Sequence, residues 1–137
     1  MADDLLSSFR ISAAGMKAQG TRLRVISENI ANADSLPTEP GQTPYRRKSI
    51  TFENELNRQL GIDLVKVDKV RQVPGDFKRR FDPQHPAADE NGYVLTPNVN
   101  KLIEMMDMRE AQRSYEANLS VIRTSKGMLQ KTIDILR

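Results

Sequence analysis

Residues 96–137 read TPNVNKLIEMMDMREAQRSYEANLSVIRTSKGMLQKTIDILR, and the spacing within this stretch decides the fold. Met105, Met108, Gln112, Tyr115, Leu119, Ile122, Lys126, Leu129, Ile133 and Leu136 succeed one another in alternating steps of three and four, and eight of the ten are apolar. That 3.5-residue repeat is the pattern of helices that wrap around one another. Val121, Met128 and Ile135 form a parallel row seven apart and broaden the stripe. Thr96 followed by Pro97 predicts a cap and a first turn, where the missing proline N–H does no harm. A helix of about 40 residues is roughly 60 Å long. It cannot bury such a stripe against the sixty or so residues that precede it, so it needs other helices.

The amino-terminal end carries the matching partner. Leu5, Phe9, Ala13, Met16, Leu23, Ile26 and Ile30 share one helical stripe, with Gly20 in the one gap. Asp3 and Asp4 put negative charge where a helix start favours it. Asp34, Ser35 and Pro37 end the helix near Asn32. About 28 residues make a rod of roughly 42 Å.

All seven prolines lie between residues 35 and 100. Among them Ser49–Phe52, Ile62–Val73 and Phe77–Phe81 read as strands, with Pro74–Gly75 as a hairpin turn and Glu53–Leu60 as a short helical turn. Asp82–Gly92 is a loop by composition. The expected architecture is mainly α with a small β-rich insert. Residues 1–34 and 96–137 supply two long terminal helices forming a coiled-coil-like bundle. Residues 35–95 form a Pro-rich middle domain with a β-hairpin or small sheet.

Composition narrows the function. The 137 residues include four Phe, three Tyr, no Trp and no Cys, which disfavours a thick globular core and excludes disulfides and thiolate chemistry. The net charge of +3 comes from residues 42–81, where ten basic side chains face five acidic ones. A basic stretch of this kind is first of all a solvated face on a small β-rich unit and secondly a fit for an anionic partner; without aromatic interleaving or a zinc or helix-turn-helix pattern nucleic acid is not expected. No apolar run reaches the ~20 residues of a membrane span. The opening MADDLLSSFRISAAGMKAQG lacks the layout of a cleaved secretory signal.

Reactive constellations are missing as well. His85 is the only histidine and sits in the loop. Asp82, Asp89 and Glu90 cluster without the alternation and central glycine of a calcium loop. Met105, Met106 and Met108 read as adaptable core packing rather than a soft metal site. With no phosphate loop, dinucleotide fingerprint, zincin motif or nucleophile elbow, the expectation is a non-enzyme with no catalytic, cofactor or metal site.

The stripes themselves are the candidate site. At the first helix the expected assembly interface comprises Leu5, Phe9, Met16, Leu23, Ile26, Asn29, Ile30 and Asn32. At the second it comprises Met105, Met108, Tyr115, Asn118, Leu119, Ile122, Leu129, Ile133 and Leu136. Asn29, Asn32 and Asn118 supply polar groups that either fix register at a helix interface or simply face water. Gly15, Gly20 and Gly127 each cost about 1 kcal/mol inside a helix, which close backbone approach offsets.

NIANADS at Asn29–Ser35, followed by Tyr45-Arg46-Arg47, resembles the amino-terminal signature of flagellar rod, hook and related axial proteins, N-x-A-N-A-x-T-x-G-Y-[KR]. Ser35 replaces the threonine, and LPTEPGQTP separates it from Tyr45. HPAADENGYV at His85–Val94, PNVN at Pro97–Asn100, EMMDM at Glu104–Met108 and RSYEAN at Arg113–Asn118 are similar to the proximal-rod members of that family. The resemblance implies a structural subunit of the proximal rod, a tubular drive shaft crossing the periplasm within the basal body. It further implies terminal helices packed into the tube, transmission of motor torque, and passage of later export substrates. The implied partners are other copies of the chain, FlgB-like and FlgF-like rod proteins, a FlgG-like distal rod protein, and a FliE-like adapter at the inner-membrane ring. The implied route is the flagellar type III export apparatus, without a cleaved signal.

Overall fold

The computed structural model describes residues 2–59 and 61–136. Helix α1 (Ala2–Ala31) and helix α2 (Lys101–Ile135) enclose four strands in the chain: β1 (Lys48–Asn57), β2 (Ile62–Gln72), β3 (Lys78–Phe81) and β4 (Tyr93–Thr96). β1 pairs with β2 and β3 with β4 in two separate two-stranded sheets. The mainly helical class with a small β insert is therefore present.

The strand layout departs from the sequence expectation in three places. Glu53–Asn57 is strand, not helical turn, because it continues β1 in its pairing with β2; Leu60, the end of that expected turn, lies outside the described residues. The hairpin consequently closes after Asn57, where Gly61 takes φ +64° and its N–H donates to the Asn57 carbonyl at 2.8 Å. So short a connection makes the β1–β2 pair antiparallel. Pro74–Gly75 lies instead in the link from β2 to β3. The third departure is at the start of α2. Thr96 belongs to β4, and the cap is Asn100, whose Oδ1 accepts from the Leu102 and Ile103 amides at 3.1 and 3.4 Å.

The chain divides into two compact units, each assembled from separate stretches. One comprises Met1–Leu23, Ile50–Lys69 and Arg109–Arg137. Its helical segments run antiparallel: Gly15 opposes Asn118, and Arg22 pairs with Glu110 at 3.5 Å. The buried residues here are Ser12, Gly15, Ala18, Ala111 and Ser125, all of them small. The seam is thus narrow, and the large aliphatic side chains flank it rather than fill it.

Gly15 shows how close the approach is. A Cβ at this position would lie 2.8 Å from Asn118 Nδ2, while that amide donates to the Ser114 carbonyl at 3.0 Å. Alanine gains about 1 kcal/mol of helix propensity over glycine, and here displacement of Asn118 offsets the gain. Gly15→Ala is therefore expected to be near neutral alone. In an Asn118→Ala background it should stabilise by about 1 kcal/mol, a difference that a urea-denaturation double-mutant cycle measures. Gly20 and Gly127 have no neighbour within 4 Å of an added Cβ, so close approach inside the chain does not account for them.

The other unit comprises Arg24–Ser49 and Val70–Met108. Val25, Ile26, Ala33, Ala87, Val94 and Val99 form its apolar core. β3 and β4 are antiparallel with Phe81 opposite Tyr93, and those two rings meet edge-on at 5.3 Å. The Asp82–Gly92 connection is an ordered turn: Asp82 donates to the Gly92 carbonyl and Gly92 to the Asp89 carbonyl, both at 2.9 Å.

Candidate functional site

The largest fully buried side chains include Glu104 and Asn29, and they meet in the second unit. The last turns of α1 present Val25, Ile26 and Asn29 along one face, at steps of one, three and four, and Ala33 follows in the turn beyond the helix. Asn29, 1% exposed, is the polar member of that face. An amide side chain has two donor hydrogens and two acceptor lone pairs, and Asn29 uses all four. Its Nδ2 donates to the Lys48 carbonyl at 2.8 Å and to Glu104 Oε2 at 3.0 Å. Its Oδ1 accepts from the Tyr45 hydroxyl and the Lys48 amide, each at 2.9 Å. The side chain thus pairs with the backbone of Lys48 on both sides, as a strand residue would.

Glu104, 0% exposed, completes the arrangement from α2. One carboxylate oxygen receives Asn29 and the other forms a charge-assisted bond with Arg47 Nε. Arg47 also reaches Asp107 at 3.7 Å. Its amide donates to Asn98 Oδ1 at 2.7 Å, and its carbonyl accepts from Val73 at 2.8 Å. Asn98 Nδ2 in turn donates to the Val73 carbonyl at 3.2 Å. Asn29, Arg47, Asn98 and Glu104 thus hold one another and the adjoining backbone in a fixed geometry.

Just outside it Lys48 Nζ contacts Glu28 Oε2 at 2.9 Å. The hydrogen bond from Lys48 holds the Glu28 carboxyl below its ordinary pKa, and the same bond raises Lys48. Burial pushes the Tyr45 phenol up, so the neutral donor is favoured. The signs follow from linkage. The Glu28 contribution is present above the ordinary carboxylate pKa and is lost as pH falls through the lowered value. The Lys48 and Tyr45 contributions are present below their ordinary pKa values and fade as pH rises through the raised ones. Glu28→Gln is expected to remove one contribution from the acid limb of a stability–pH profile and one from the alkaline limb, where Tyr45 still ionises. Thermal melts across pH measure this.

The residues expected from sequence to form the interface separate into groups. In the second unit Ile26 and Asn29 are buried within the chain itself, Ile30, Asn32 and Met108 are half-buried, and Met105 is exposed. Asn32 donates to the Glu28 carbonyl at 2.8 Å and finishes α1 locally. In the first unit Leu5, Met16, Leu23, Tyr115, Asn118, Leu119 and Ile122 are half-buried, whereas Phe9, Leu129, Ile133 and Leu136 are exposed. Leu5, Phe9 and Leu129 converge with Leu6 and Ser125 on one shallow apolar groove. Core packing does not describe Met105 or Met106, which face outward, the latter 64% exposed, whereas Met108 is half-buried. His85 Nδ1 accepts from the Ala87 amide at 3.1 Å, and Asp89 Oδ1 accepts from Asn91 and Tyr93, so both serve the turn. Glu104, Arg47, Asn98 and Tyr45 are absent from the expected interface, although each lies in a stretch that carries the axial-protein resemblance.

Those stretches recur in known proteins. Residues 9–35 match the family model described as flagella basal body rod protein. Residues 90–135 match flagellar basal body rod FlgEFG protein C-terminal. The flagellar basal-body rod protein FlgC of Agrobacterium fabrum is 53% identical over 135 residues, covering 98% of this chain and 97% of that protein. The chain belongs to the FlgC family of flagellar basal-body rod proteins. The Salmonella typhimurium FlgC is 40% identical over 131 residues, with 96% and 97% covered, and that of Aquifex aeolicus is 39% identical over 132 residues, with 96% of each covered. The two matched segments of this FlgC-family chain contain Asn29 on one side and Asn98 and Glu104 on the other, so the helical walls of the buried network fall within the family's own signatures.

Proposed function

We propose that the chain is a non-enzymatic subunit of the proximal rod whose helices complete their packing against neighbouring subunits. The observation that carries this reading is the size of what the first unit buries. Its fully buried residues are all small, while Phe9, Val121, Met128, Leu129, Ile133 and Leu136 remain exposed. A buried Leu, Met or Phe side chain contributes about 1.5–3 kcal/mol, so most of the stabilisation written into these helices is unused in the single chain. Association supplies the missing faces.

Family membership supports the basal body as the location. The proposed neighbours are further copies, FlgB-like, FlgF-like and FlgG-like rod proteins, and a FliE-like adapter at the inner-membrane ring. In this role the chain leaves by type III export without a cleaved signal and joins a rod that crosses the periplasm. Side-by-side helices whose side chains interdigitate cannot slide without opening voids, which suits a shaft that transmits torque around a channel for export substrates. The test places charge at exposed apolar positions, which should leave the isolated chain folded and stop its incorporation into rods.

A further inference from the structure

The sequence has eight asparagines, and only Asn91 precedes a glycine. We propose that Asn91–Gly92 is a covalent ageing site that the folded β3–β4 connection keeps inert, so that modification of Asn91 records time spent unfolded. The inference stands independently of the rod reading.

The chemistry is intramolecular. The Gly92 backbone nitrogen attacks Asn91 Cγ, forming an N–Cγ bond. The Cγ–Nδ2 bond breaks, and nitrogen leaves as ammonia carrying the proton lost from the Gly92 amide. Water then opens the succinimide. Attack at Cγ gives aspartate with the original backbone, and attack at the main-chain carbonyl gives isoaspartate, whose backbone runs through Cγ. No redox partner is needed, and glycine permits the attack because no Cβ obstructs it.

In the folded turn the attacking nitrogen and the backbone on both sides of the Asn91–Gly92 peptide are restrained. The Gly92 N–H donates to the Asp89 carbonyl at 2.9 Å, and the Gly92 carbonyl accepts from Asp82 at 2.9 Å. The Asn91 backbone N–H donates to Asp89 Oδ1 at 2.9 Å, and the Tyr93 backbone N–H donates to the same oxygen at 2.8 Å. Ring closure requires the Asn91–Gly92 peptide to rotate and the Gly92 nitrogen to give up its acceptor. Gly92 is buried at φ +79°, and a Cβ there would meet Pro83 and Phe81 at 3.0 and 3.1 Å. The rotating peptide therefore has nowhere to go without local opening.

The two products differ in consequence. Aspartate keeps the backbone and adds a carboxylate beside Asp89 and Glu90. Isoaspartate inserts a methylene into the main chain, drives Gly92 against Pro83 and Phe81, and displaces the Phe81↔Tyr93 pair that opens the sheet. The isoaspartate chain is excluded from refolding and the aspartate chain is not.

The experiment incubates the full chain in mildly alkaline buffer, with and without urea, and quantifies the Asn91 peptide by mass spectrometry and isoaspartyl methyltransferase labelling. Conversion in urea should be at least about tenfold faster than in the folded chain, and the other seven asparagines should remain unmodified. After urea removal, chains carrying isoaspartate should stay unfolded while Asn91→Asp and Asn91→Gln chains recover their circular dichroism. Asp89→Ala, which removes the acceptor shared by Asn91 and Tyr93, should raise the folded-state rate towards the unfolded one. Equal rates in folded and unfolded wild type, or refolding of isoaspartate chains as complete as that of Asn91→Gln, overturns the proposal.

Discussion

Replacing Asn29 with aspartate is expected to unfold the unit built from Arg24–Ser49 and Val70–Met108. The substitution conserves shape and removes both donor hydrogens. A carboxylate oxygen then stands where Nδ2 stood, 3.0 Å from Glu104 Oε2 and 2.8 Å from the Lys48 carbonyl. Two buried carboxylates cannot both stay ionised at that separation. Breaking a buried charged arrangement costs about 3–5 kcal/mol, a large share of the ~5–15 kcal/mol that keeps a domain folded. Asn29→Ala leaves the Lys48 peptide and the Tyr45 hydroxyl unpartnered, at about 1–3 kcal/mol for each lost partner, but brings no repulsion. Aspartate should therefore have the lower urea midpoint of the two. Adding Glu104→Gln to Asn29→Asp restores a donor across the pair and should recover part of the loss. Equal midpoints for Asn29→Asp and wild type would mean that the polarity of this network does nothing for stability.

Some of this was legible in the residues and some was not, and the reason differs by element. α1 ends at Ala31, where Asn32 and the downstream Pro37 place it, because capping and proline chemistry are local. α2 keeps its apolar repeat through Ile135 but begins at Lys101, not Thr96. Thr96 and Pro97 satisfy the rule for a helix start, yet Thr96 pairs with Lys78 in β4, and a partner eighteen residues away outweighs a local preference. Glu53–Asn57 became strand for the same reason, since the decisive contact is β2. The stripes were readable as amphipathic, but periodicity alone does not distinguish a side chain buried in its own chain from one awaiting a neighbour. Ile26 and Asn29 proved to be of the first kind. The small residues Ser12, Gly15, Ala18 and Ala111 hold the seam precisely because they lack the bulk that a hydrophobic count rewards. Glu104 is the clearest omission. A carboxylate beside four apolar residues in LIEMM reads as the solvent face of a helix, and only the meeting of Asn29 and Arg47 shows why it is buried.

Met106→Asp and Leu136→Asp are expected to abolish rod incorporation while leaving the isolated chain as stable as wild type. Both side chains stand in water in the single chain, 64% and 83% exposed, and substitutions at such positions usually change stability by no more than about 0.5 kcal/mol. In an assembly each should enter an apolar contact. The loss there is about 1.5–3 kcal/mol of burial per site, with the further penalty of a carboxylate that has no partner. Every contact in a polymer carries the same defect, so the losses compound along the shaft. Leu119→Asp is a poor substitute for these variants: Leu119 is already half-buried in its own unit, and a folding defect would mimic an assembly defect. The measurement pairs urea midpoints of the purified variants with motility and basal-body isolation in a strain lacking its own copy. Unchanged midpoints with missing rods locate the unused stabilisation of these helices at subunit contacts. Normal rods built from Met106→Asp and Leu136→Asp chains would show that those faces remain in water after assembly, and the thin seam of small residues would then have to hold the helices together alone.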